Sequence, residues 1–93
     1  MKLKVRKGWV EDDDGACVLL YPSGGNYLGA YAAVVPWGMG VEPWVAAYPH
    51  GVTKHTEKRA FGGKTFRTIE EAHAYLLRMG SESPWEENNT KLY

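Results

Sequence analysis

The stretch Thr68-Ile69-Glu70-Glu71-Ala72-His73-Ala74-Tyr75-Leu76-Leu77-Arg78-Met79-Gly80 decides the fold. Thr68 is an N-cap residue type, and Glu71 three places on makes a capping box with it. Ile69, Ala72, Leu76 and Met79 recur at helical spacing and form one apolar stripe. Arg78 puts a cation in the last turn, where the helix dipole favours it. Gly80 supplies the left-handed residue on which helices end. The pattern predicts a helix over 69–79. A helix this short is marginal alone in water, so its stripe must dock on another element. His73 falls on the flank of the stripe, where a hydrogen-bonded, partly buried imidazole is expected.

The upstream sequence supplies the surface it docks on. Lys2–Arg6 alternates charged and apolar residues, the period of a half-buried strand. Gly8 interrupts it, and Trp9-Val10 continues it past a bulge. Asp14-Gly15 signals a hairpin turn. Ala16–Tyr21 reads as a well-buried strand, Pro22–Asn26 as a turn, and Tyr27–Val35 as a third strand stopped by Pro36. Trp37–Gly40 is a loop, Trp44–Tyr48 a fourth strand and Lys58–Phe61 a fifth. Gly62-Gly63 turns the chain into a short return strand, Lys64–Phe66. The fold class is α+β: an antiparallel sheet of four to five strands with one helix on a face. Residues 1–80 form one domain in this reading. Residues 81–93, opened by Pro84 and rich in acids, read as a polar tail, with Trp85 as the side chain able to pin it back.

Composition narrows the function. The chain has 93 residues, eleven basic and eleven acidic, and is 44% apolar. That excludes a disordered chain, a collagen-like chain and a free-standing coiled coil. It also excludes a nucleic-acid binder whose affinity rests on bulk charge. The charges come in blocks: Lys2, Lys4, Arg6 and Lys7 first, then Glu11 to Asp14, then a basic 54–67 segment and an acidic end. Neutrality therefore leaves room for a local basic face. The single cysteine, Cys17, lies in an apolar run and is expected to be a buried thiol in a reducing compartment. No apolar leader opens the chain and no run approaches a membrane span. A cytoplasmic location and no membrane partner are expected.

Sites for chemistry are scarce. Asp12-Asp13-Asp14-Gly15 does not fit a calcium loop, because Val10 and Tyr21 fall where its first and last ligands belong. His50, His55 and His73 lack zinc spacing, so no metal and no cofactor are expected. Ser23, Ser81, Ser83 and Cys17 sit in no nucleophile elbow. Gly63-Lys64-Thr65 copies the end of a phosphate-cradling loop, but Lys58 stands where its first glycine belongs. No catalytic residue is named, and the chain reads as a non-enzyme.

Aromatic residues are its most unusual feature: Trp9, Trp37, Trp44 and Trp85, with six tyrosines. Core and rim packing accounts for Trp9 and Trp44. Trp37 and Met39 stand among glycines in a loop, where large apolar groups typically anchor a partner. With their neighbours Trp44 and Tyr48 they form the candidate contact set.

The elements Trp44–Tyr48, Lys58–Phe61 and Phe66–Leu76 resemble the small sheet-then-helix DNA-binding domain that opens many tyrosine-type integrases. This resemblance spans about a third of the chain and implies phosphate contacts. Here Lys54, Lys58, Arg59, Lys64 and Arg67 would make them, since Trp44–Tyr48 carries no base. The chain as a whole is similar in style to small phage accessory proteins, including anti-CRISPR inhibitors. The expectation is thus a binding protein that occupies a protein or nucleoprotein surface, as an inhibitor from a phage or mobile element does. The alternative is a nucleic-acid-binding domain that uses the basic segment.

Overall fold

The computed structural model describes residues 2–13, 15, 17–25, 27–35, 44–53 and 63–87. Its elements are β1 (Leu3–Val5), β2 (Trp9–Asp13), β3 (Val18–Pro22), a 3-10 turn (Tyr27–Gly29), β4 (Ala32–Val35), β5 (Trp44–Ala47), β6 (Lys64–Phe66), α1 (Ile69–Arg78) and β7 (Trp85–Glu87). Strands β2 to β6 form a five-stranded antiparallel sheet in chain order, and β1 pairs with β7 in a separate antiparallel ribbon. Helix α1 lies over β5 and β6. The α+β class and the helix on the antiparallel sheet are as the sequence predicts.

The register explains the core. One cross-strand row is Leu20, Ala32, Ala47 and Lys64, and the next on the same face is Val18, Val34, Val45 and Phe66. Leu20, Ala32, Val45 and Ala47 are buried with Ala72 and Leu76 of α1 and with Trp85. Alanine at Ala32, Ala47 and Ala72 leaves room for the helix to lie close and for the indole to join the same cluster. Burying a leucine such as Leu76 contributes about 1.5–3 kcal/mol.

The helix ends follow the local code. Thr68 Oγ1 accepts the Glu71 N–H at 3.2 Å and donates its own hydrogen to Glu71 Oε1 at 3.1 Å. At the other end the Gly80 N–H donates to Leu77 O and the Ser81 N–H to Leu76 O, which is a Schellman closure. Gly80 takes φ 70° there. Met79 departs from its predicted place in the stripe. It is the C-cap and is exposed, because the chain has already left the helix at that residue. Tyr75 takes a packing place instead, against Phe66.

Three further readings are corrected. First, β1 and β2 are not one bulged strand. Gly8, at φ 88°, turns the chain so that β1 pairs with β7 and β2 becomes the edge of the larger sheet. Second, Tyr27–Gly29 is helical, and the strand read over Tyr27–Val35 begins only at Ala32. Third, 81–87 is no loose tail. Ser81, Ser83, Pro84 and Trp85 are buried, and Trp85 pairs with Val5 across the ribbon. Residues 88–93, the loop at 37–40 and the strand expected over Lys58–Phe61 lie outside the described residues. Among the described residues, no helix is long and apolar enough to cross a membrane.

Candidate partner-binding surface

Side chains alternate across a sheet, so the face away from α1 belongs to the other set of residues. Its central row is Leu19, Ala33, Ala46 and Thr65, and Val35 and Trp44 form the next pair on β4 and β5. Trp44 opens β5 and is 44% exposed, beside the half-buried Val35. This removes Trp44 from the core and leaves it at the rim: its parity places it opposite the buried Val45. A large indole therefore meets solvent next to an apolar neighbour.

Tyr48 continues the same face but is used internally. A Cβ at Gly63 would lie 2.5 Å from Tyr48 Cε1, so the phenol ring occupies the space a side chain would need. Burial, and then Cys17, pushes the Tyr48 hydroxyl above its ordinary range. Of the predicted anchors, Trp44 is thus presented and Tyr48 is half-committed to packing. Trp37 and Met39 lie outside the described residues. Leu77 and Met79 are also exposed, at the far end of α1. The helical stripe passes over both: Leu77 points off it, and Met79 comes after the last turn.

The basic segment divides similarly. Lys54, Lys58 and Arg59 lie outside the described residues, and Arg67 is exposed in the bend before α1. Lys64 is exposed on β6, the last of the described strands in its sheet, with Nζ 5.4 Å from the Tyr75 ring centroid and 5.7 Å from that of Phe66. Arg78 approaches Tyr75 as well, at 6.0 Å. Two cations on one aromatic ring form a compact positive patch. Sequence reasoning missed Arg78 because it counted that residue only as a helix-end cation.

One arrangement has the outline of nucleophile chemistry. His73 Nδ1 lies 2.6 Å from Ser83 Oγ, a contact that sequence spacing gave no means of naming. Ser83, however, has no exposed surface, and its oxygen also accepts the Trp85 N–H at 3.2 Å. A substrate cannot reach it, so the pair ties the chain segment after α1 to the helix. Ser81 does the same on the other side, where its Oγ accepts the His50 N–H at 2.8 Å. Among the described residues, no three of His, Cys, Asp and Glu converge as metal ligands would.

Compared with known families, curated proteins and solved structures, the chain matches none. Its function is therefore read from its own residues.

Proposed function

We propose that this chain is a small binding protein that occupies a surface of a protein or nucleoprotein partner, with Trp44 as an anchor. The observation that carries this is the 44% exposure of Trp44, paired with the half-buried Val35 on the face opposite the buried Val45. An indole is expensive to leave in water and is the residue type most enriched among binding hot spots. The charged blocks, acidic along β2 and basic at Lys64 and Arg78, orient the encounter. A phage or mobile-element inhibitor is the form of such a protein that the size and composition support. The test is a photo-crosslinking side chain placed at position 44 and, as control, at Leu77. One discrete adduct at 44 and none at 77 is expected. Equal labelling at both positions removes the assignment.

A second reading rests on Lys64 and Arg78 flanking Tyr75, which gives the integrase-like nucleic-acid interpretation a described patch. Phosphate contacts release counterions, so such binding weakens steeply with salt. Under this reading the chain retards duplex DNA at low ionic strength, and Lys64→Ala with Arg78→Ala reduces the shift and flattens the salt slope by roughly two phosphate contacts. No retardation at low salt excludes it.

A further inference from the structure

The segment from Ser81 to Glu87 crosses from the end of α1 to the ribbon, and a buried His73–Ser83 contact ties it to the helix. His73 is 8% exposed, and Ser83, 2.6 Å from its Nδ1, is fully enclosed. Ser83 Oγ accepts the Trp85 N–H and keeps its own hydrogen and a second lone pair for the imidazole. The neutral tautomer with its ring proton on Nε2 satisfies both partners, because Nδ1 then accepts the Ser83 hydroxyl hydrogen. The charged groups that face His73 are Arg6, from the turn after β1, and Glu87, from β7. Arg6 Nε is itself buried with no hydrogen-bond partner among the described residues, and a second positive charge beside this guanidinium is disfavoured.

We propose that the β1–β7 ribbon is an acid-released clasp whose latch is the His73–Ser83 contact. Protonation turns Nδ1 into a donor. Ser83 Oγ can accept both N–H groups, but its own hydrogen loses the Nδ1 acceptor and a charge is buried beside Arg6. Apart from Trp85, which the core holds, the ribbon has little of its own to resist this. It is three residues a side, and its Lys4–Glu86 pair, at 3.6 Å, is exposed and weak. The five-stranded sheet keeps its own backbone ladders when the ribbon loosens.

Burial, and then the Arg6 charge, hold the His73 imidazolium less stable than in water, against a smaller pull from Glu87, so its pKa lies below the ordinary 6.5. The clasp is therefore closed above pH 6.5 and loosens as pH falls from there toward the folded-state value. One proton is taken up, so protection falls by at most about tenfold per pH unit.

Amide hydrogen exchange resolves this. The Arg6 N–H donates to Pro84 O and the Trp85 N–H to Ser83, whereas the Tyr31 and Tyr48 N–H groups donate within the large sheet, to Leu20 O and Tyr31 O. Between pH 7 and 5, protection factors at Arg6 and Trp85 are expected to drop while those at Tyr31 and Tyr48 hold. In His73→Asn, whose amide oxygen keeps an acceptor that does not titrate, the drop disappears. Parallel behaviour at all four amides, or a drop that persists in the variant, overturns the proposal. Should His73→Asn not fold, the imidazole titration of the unaltered protein decides. A midpoint below 6.5, shared by the Arg6 and Trp85 amide shifts, supports the clasp, and one at or above 6.5 refutes it.

Discussion

Trp85→Ala is expected to destabilise the protein by about 3–5 kcal/mol, the range for emptying an aromatic site in a core. That is a large part of the roughly 5–10 kcal/mol a domain of this size has. Trp85 is 3% exposed and lies in the same buried cluster as Leu20, Val45, Ala72 and Leu76. It also pairs with Val5, so its loss weakens both the sheet–helix core and the ribbon. Urea titration followed by far-ultraviolet circular dichroism measures the change. With a slope of about 1–3 kcal/mol per molar, the midpoint falls by at least 1 M. A chain shortened to residues 1–80 should be worse still, because Leu3 and Val5 then lose their cover. An unchanged midpoint in Trp85→Ala would return residues 81–87 to the status of a tail.

The second large effect is expected at Gly63. A methyl group there would stand 2.5 and 2.7 Å from two carbons of the Tyr48 ring and 2.9 Å from the Ala47 carbonyl oxygen. The ring can swing aside, but the carbonyl belongs to the β5 backbone and pairs next to β6. Gly63→Ala therefore forces the backbone entering β6 away from β5, at about 1–3 kcal/mol. Adding Tyr48→Ala should recover only part of the loss, since the carbonyl contact remains. Thermal denaturation of the two variants separates these terms. Full recovery in the double variant would assign the whole cost to the ring.

These two residues also show where the sequence could be read and where it could not. Helix α1 was legible because its ends are coded locally: Thr68 with Glu71, and Gly80 with the two residues before it. The sheet was legible where alternation or an apolar run spans five residues, as in β3. Strand β7 was not, because three residues behind a proline carry no period. Its partner β1 also lies some eighty residues away in the chain. Glu11 to Asp13 extend β2 up to the Asp14-Gly15 turn that the sequence signals, and an edge strand tolerates such carboxylates.

Functional residues divide the same way. Trp44 was named as a contact residue and also as packing, and only the pairing with Val35 settles which face it takes. The His73–Ser83 contact joins a helix to the strap that follows it, and no spacing rule marks such a pair. Arg78 and Lys64 come together because Phe66 and Tyr75 stack β6 against α1. In each case the missing information is tertiary, a matter of which faces meet.

The proposed use of Trp44 stands or falls on affinity. Once the partner crosslinked at position 44 is in hand, its dissociation constant can be compared for the unaltered chain, Trp44→Ala and Leu77→Ala by calorimetry. An anchor of this type contributes about 2 kcal/mol or more, so Trp44→Ala should weaken binding by roughly 30-fold or more, with Leu77→Ala close to neutral and both variants folded. Equal constants for all three proteins would show that the exposed indole holds nothing.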